Sequence, residues 1–194
     1  MIRARALGRR YGAKRVLRDL DLDVERGDFL VVTGPNGCGK TTLLRLCAGL
    51  QAPTQGTLEV AVERGQVGLV AHEPLVYREL TALENLNLYA RLYRVHDGRE
   101  RIGMLLERFD LWDERNERAG SFSRGMLQRL ALCRALLHEP ELLLLDEPYN
   151  ALDADGAALL DRELASLRAE RTFVVATHEP QRVEALATAY LALA

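Results

Sequence analysis

The sequence of 194 residues predicts an α/β fold. Its core sheet is mostly parallel, an antiparallel β part stands at the N-terminal end, and a helical subdomain is inserted in the middle. Three stretches predict this. The first is an apolar, β-prone run, Phe29-Leu30-Val31-Val32-Thr33, then a glycine-rich loop, then Thr42 to Ala48 with helical character. The second is Leu142-Leu143-Leu144-Leu145, a short apolar run that fits a strand buried on both faces of a parallel sheet. The third is the region 81–137, where helical spacing replaces strand alternation.

Taken in order, residues 1–26 read as two strands. Leu20, Leu22 and Val24 alternate with Asp21, Asp23 and Glu25, and Gly8 and Gly12 mark turns. The strand, loop and helix around residues 29–48 end near Gly49. Pro53 and Gly56 break the chain, Thr57 to Val62 alternates as a strand, Gly65-Gln66 is a turn, and Val67 to Ala71 is a short apolar strand. Thr81-Ala82-Leu83-Glu84 is a capping box that opens a helix, since the threonine side chain and the glutamate three residues on satisfy each other's free backbone N–H groups. Leu86, Tyr89, Ala90 and Tyr93 continue it, Asp97-Gly98 ends it, and Arg99 to Phe109 gives another helix. After the apolar run at 142–145, Asp155 to Leu167 is helical, Thr172 to Thr177 is a strand, and Pro180 opens a last helix. The chain reads as one domain, 1–194, with 1–80 and 138–194 as α/β core and 81–137 as helical subdomain.

Hydrophobic residues make up 48% and charged residues 28%, ordinary for a folded soluble protein. A net charge of −2 gives no reason to expect nucleic acid as a partner. The first 18 residues are rich in arginine. Ile2, Ala4 and Ala6 alternate with Arg3 and Arg5, which fits a solvated strand face; a transit peptide or a membrane-surface patch is the other reading. No run is long and apolar enough to span a membrane, and no signal peptide is visible. Cys38, Cys47 and Cys133 show no metal spacing and read as reduced thiols.

The loop Gly34-Pro35-Asn36-Gly37-Cys38-Gly39-Lys40-Thr41 fits G-x-x-x-x-G-K-[ST] in its strand-to-helix context. Glycines let successive N–H groups turn inward around phosphates, and the helix N-terminus adds its positive end. Lys40 is placed to reach the β- and γ-phosphates and the Thr41 hydroxyl to ligate Mg²⁺, with Thr42 directly after. Lysine is rare in this chain, only Lys14 and Lys40. Its compact ammonium fits between phosphates where a guanidinium would crowd them. Asp146, at the end of the apolar strand, supplies the carboxylate that a P-loop site needs for Mg²⁺, and Glu147 beside it suits the base that activates water.

With these residues the order of motifs resembles the ATP-binding subunit of ABC transporters over nearly the whole chain: Tyr11, the P-loop, His72, Ser123 to Arg129, Leu142 to Glu147, Asn150 to Asp153, and His178. The resemblance implies an ABC ATPase of the P-loop type that uses ATP and Mg²⁺. It implies that Tyr11 stacks on adenine, and that Ser123 and Gly125 at a helix start bind the γ-phosphate held by a second copy. It also implies that Asp153 crosses the dimer interface and that His178 contacts the γ-phosphate. The family's usual signature is Leu-Ser-Gly-Gly-Gln; here Phe122, Arg124 and Met126 replace its first, third and fifth residues. His72 falls where the family has a glutamine that senses metal and γ-phosphate, and is expected to take that role.

The segments Val70 to Leu75, Leu80 to Leu86, Phe122 to Met126 and Thr177 to Pro180 look like the ATPase of the haem exporter of bacterial cytochrome c biogenesis. That resemblance implies a homodimer closing on two nucleotides and a membrane permease partner. It places the protein peripherally at the cytoplasmic face of the cell membrane, as a translocase subunit powering haem export. A generic ABC exporter ATPase is the alternative within the class. Outside it stands an ABC ATPase acting on nucleic acid or the ribosome, for which the coiled-coil insertion or second ATPase core is missing.

Overall fold

The computed structural model describes residues 1–194. Two sheets form within one compact unit, made of Met1–His72, Glu141–Pro148 and Leu167–Ala194. The first sheet is antiparallel, in the order β2-β1-β4, from β1 (Ile2–Tyr11), β2 (Lys14–Val24) and β4 (Gln55–Val60). The second is parallel, in the order β5-β6-β7-β3-β8. Its strands are β3 (Phe29–Thr33), β5 (Val67–Val70), β6 (Leu142–Asp146), β7 (Thr172–Ala176) and β8 (Ala189–Ala192).

Helix α1 (Lys40–Cys47) packs on β6 and β7 of the parallel sheet and on β2 and β4 of the antiparallel one. Its Leu43, Leu44 and Leu46 join Ile2, Leu7 and Leu17 from one sheet and Leu30, Val32, Leu144 and Val174 from the other in a single core. Period-two alternation sends Phe29 and Phe173 to the opposite face of the parallel sheet, where their rings stack 4.9 Å apart. The four leucines of β6 are buried on both faces, as a central parallel strand requires.

The second unit, Glu73–Pro140 with Tyr149–Ser166, holds α2 (Ala82–Leu92), α3 (Gly98–Arg108), α4 (Arg124–Leu136) and most of α5 (Ala154–Leu167). Both bonds of the Thr81–Glu84 capping box form. Asn85, buried on α2, donates to the carbonyls of Tyr77, Leu80 and Thr81 and accepts from Tyr77 N–H, pinning the turn ahead of the helix. Arg108 on α3 holds the buried carboxylate of Glu163 on α5 through two contacts, at 2.9 and 3.0 Å. The observed partition differs from the expected one: residues 73–80 and 149–166 pack with the helical unit rather than with the α/β core, and that pair ties the second segment to α3.

Several boundaries also differ. Asp97-Gly98 does not close α2, which stops at Leu92; Arg94 and Asp97 take left-handed backbone, and Gly98 opens α3. Gly8 lies inside β1, facing Gln55 of β4, and only Gly12 makes a turn. Pro180 opens a short 3₁₀ segment to Leu186 instead of an α-helix, and the chain then adds β8, which the sequence reading lacked. Ala-Tyr-Leu-Ala is too short and too bland to announce a strand; it is one because β3 offers it a free edge.

Candidate functional site

The glycine loop leaves β3 and enters α1. Its backbone demands glycine: Gly34 takes φ 143°, and a Cβ there would stand 2.4 Å from the carbonyl oxygen of Leu193. Gly39 takes φ 115° as the N-cap of α1, and a Cβ there would strike Leu17 at 2.7 Å. Cys38 is tucked inward against Gly34, leaving Pro35, Asn36 and Gly37 exposed.

Lys40 is the first residue of α1 and is 7% exposed. Its ammonium donates to Gly34 O at 2.7 Å and lies 3.9 Å from Glu147 Oε1. The loop carbonyls hold the cation where an anion cradled by the loop would meet it. Thr41 Oγ1 donates to Asp146 Oδ2 at 2.7 Å. A hydroxyl from the helix start and a carboxylate from a strand end, distant in sequence, thus meet at one point.

Asp146 is 3% exposed. Burial pushes its carboxyl above the ordinary aspartate range, while the Thr41 hydroxyl and the nearby His72 pull it back. Glu147 follows in left-handed backbone, φ 50°, which a non-glycine residue adopts only at a cost of about 1–3 kcal/mol. Its N–H donates to Ala176 O, and this turn aims the side chain at the end of β7. There Glu147 Oε2 accepts from His178 N–H at 3.2 Å and lies 2.7 Å from His178 Nδ1.

A cleft of about 330 Å³ gathers Thr42, His72, Asp146, Glu147 and the loop residues Asn36, Gly37, Gly39, Lys40 and Thr41. Val16 of β2 forms its remaining wall, and nothing in the sequence marked it, because it comes from the other sheet. No group of three or more His, Cys, Asp or Glu side chains stands ready to hold a metal by itself. Thr41 and Asp146 together fit Mg²⁺, which is commonly held by one or two protein oxygens with phosphate and water completing its shell.

Tyr11 is 41% exposed at the β1–β2 hairpin. The Arg9 guanidinium lies over its ring, 4.7 Å from the centroid, and also donates to Ala52 O. The Tyr11 hydroxyl donates to Gln51 and reaches the Thr42 hydroxyl. Nothing local in the sequence marks Arg9 or Gln51 for this place, since their role depends on tertiary packing around the ring.

The second unit holds Ser123, Gly125 and Asp153. Ser123 is the N-cap of α4, accepting from Met126 N–H at 3.2 Å. A Cβ on Gly125 would stand 3.0 Å from Ala151 O, so this glycine lets the 150–153 turn pack against the helix start. Asp153 caps α5 through Gly156 N–H at 2.8 Å. Phe122 is buried and Arg124 exposed.

Comparison with known proteins bears on this geometry. The family model described as "ABC transporter" matches residues 17–150. The relative named ABC transporter ATP-binding protein NatA of Bacillus subtilis is 36% identical over 89% of this chain and 75% of its own length. The aliphatic sulfonates import ATP-binding protein SsuB of Burkholderia pseudomallei is 38% identical over 96% of this chain, which spans only 57% of that relative. A solved dimeric ATP-binding cassette in a post-hydrolysis state, bound to ADP and phosphate, superposes with a TM-score of 0.89 at 26% identity, covering 100% of this chain and 94% of its own.

Proposed function

The chain belongs to the ABC transporter ATP-binding family, and on that premise we propose that it binds ATP with Mg²⁺ and hydrolyses it as the energy-supplying subunit of a transporter. The observation that carries this reading is the meeting of Thr41, Asp146, Lys40 and Glu147 in one cleft behind the glycine loop, with His178 bonded to Glu147. Mg²⁺ would be held by Thr41 and Asp146 and would neutralise phosphate charge. Lys40 would meet the β- and γ-phosphates. Glu147 accepts the proton of the attacking water. His178, bonded to Glu147 through Nδ1, fixes that carboxylate, and its Nε2, now 3.4 Å from Glu179 Oε1, would turn to the terminal phosphate.

A solved relative is dimeric, which supports a homodimer; in a head-to-tail pair Ser123 and Gly125 of one copy would meet the nucleotide on the loop of the other, with Asp153 at the interface. A permease in the cell membrane completes the assembly, with this chain peripheral at the cytoplasmic face. His72 takes the place of the metal-sensing glutamine. The finer reading, export of haem for cytochrome c biogenesis, rests on the Val70–Leu75, Leu80–Leu86, Phe122–Met126 and Thr177–Pro180 segments alone. A relative named for sulfonate import leaves direction to experiment.

Mg²⁺-dependent phosphate release by the purified protein tests the core reading; a protein that neither binds nor cleaves ATP overturns it. Capture of the chain from membranes, with identification of its permease, tests the transporter and its cargo. Unchanged hydrolysis and transport coupling in His72→Ala would remove His72 from the mechanism.

A further inference from the structure

The β1–β2 hairpin tip carries a pairing of charges that folding alone disfavours. Arg10 stands directly opposite Arg15 in the antiparallel register, and Lys14 stands opposite Tyr11. Like charges directly across a strand pair destabilise it. All three cations are exposed, and none takes part in an ion pair. The other arginines of β1 are committed elsewhere: Arg3 and Arg5 pair with Asp23, and Arg9 covers Tyr11.

The tip borders the nucleotide cleft. Val16, one residue beyond Arg15, lines it, and so does Thr42, whose hydroxyl the Tyr11 hydroxyl reaches. Besides His72, the ionic side chains lining the cleft are one cation, Lys40, and two anions, Asp146 and Glu147, so its carboxylates outnumber its ammonium. The whole chain is also net negative, at −2. A polyphosphate coming from solution therefore approaches a net-negative protein, and the cations at the hairpin tip, free of ion pairs, are a favourable field beside the cleft's entrance.

We propose that Arg10, Lys14 and Arg15 form a steering rim that speeds capture of nucleoside polyphosphates, and of triphosphates more than diphosphates. The inference rests on the ATP-binding reading above and adds a kinetic specificity device to it. Attraction scales with ligand charge, so the extra phosphate gains most. Steering of this kind raises association rates by about 10–10³-fold and fades as salt shortens the Debye length to about 3 Å at 1 M.

The test is stopped-flow association of fluorescent ATP and ADP analogues with the native protein and with the triple variant Arg10→Gln, Lys14→Gln, Arg15→Gln, across ionic strength. The expected result is an ATP association rate about tenfold lower in the variant at low salt. A smaller loss is expected for ADP, with convergence at high salt and unchanged dissociation. The thermal midpoint of the variant should equal or exceed the native one, because the opposed cations are gone. An unchanged association rate, or a loss confined to dissociation, overturns the inference alone. A native protein that captures no nucleotide overturns the ATP-binding reading and this inference with it.

Discussion

Glu147 Oε2 lies 2.7 Å from His178 Nδ1 and also accepts the His178 backbone N–H, while Glu147 Oε1 lies 3.9 Å from Lys40 Nζ. The carboxylate is therefore held between an imidazole and an ammonium, on a residue forced into left-handed backbone. Such an arrangement fixes a base in place before the substrate arrives. Glu147→Gln preserves the shape but removes proton acceptance. It should bind ATP at near-native affinity and hydrolyse it about 10²–10⁴-fold more slowly, read by phosphate release against nucleotide binding. Turnover within threefold of native would remove Glu147 as the base.

Asp146 gives a prediction with a definite sign in pH. Burial raises its folded-state pKa above the unfolded value, so stability falls as pH rises from the unfolded to the folded pKa, and the full cost is present above it. Asp146→Asn removes that cost. At pH 7 the nucleotide-free variant should melt higher than the native protein, by a few degrees for each 1 kcal/mol relieved. Below the ordinary aspartate pKa of about 3.9, where the native side chain is protonated too, the advantage should vanish. The same variant should lose Mg²⁺-dependent nucleotide binding. A variant less stable than native at pH 7 would contradict the burial argument.

What the sequence made legible follows from how local each signal is. The glycine loop, the capping box at Thr81 and the doubly buried leucines of β6 each depend on a few consecutive residues, and each stands where expected. Strand β8 was illegible because pairing with β3, rather than propensity, makes it a strand. Val16, Arg9 and Gln51 were illegible for the same reason: each matters through a neighbour far along the chain. Glu147 was legible as a residue, but its left-handed backbone and its grip on His178 were not.

All three cysteines are buried, Cys47 and Cys133 the most deeply. Burial pushes the Cys47 thiol up to about 12 and the Cys133 thiol higher still, so neither forms thiolate at neutral pH. Native protein at pH 8 should leave both unlabelled by an aromatic disulfide reagent over minutes, and denaturant should release all three thiols of the chain. Peptide mapping of the labelled sites checks this; rapid native labelling at Cys133 would mean that α4 opens readily.

Arg108 and Glu163 supply the last prediction. Glu163 is 4% exposed and Arg108 meets it through two contacts, tying α3 to α5. Breaking a buried pair from one side costs about 3–5 kcal/mol, because the remaining charge is stranded. The Arg108 side chain is 39% exposed, so water screens part of this loss and a cost of about 2–3 kcal/mol is expected for Arg108→Ala. Glu163→Gln in that background removes the stranded charge and should recover part of the loss, whereas in the native background it should destabilise. The measurement is a double-mutant cycle by urea unfolding. Additive effects of the two substitutions would mean that the pair does not hold these helices together, and a coupling of 1 kcal/mol or more, at the scale of neighbouring side chains, would mean that it does.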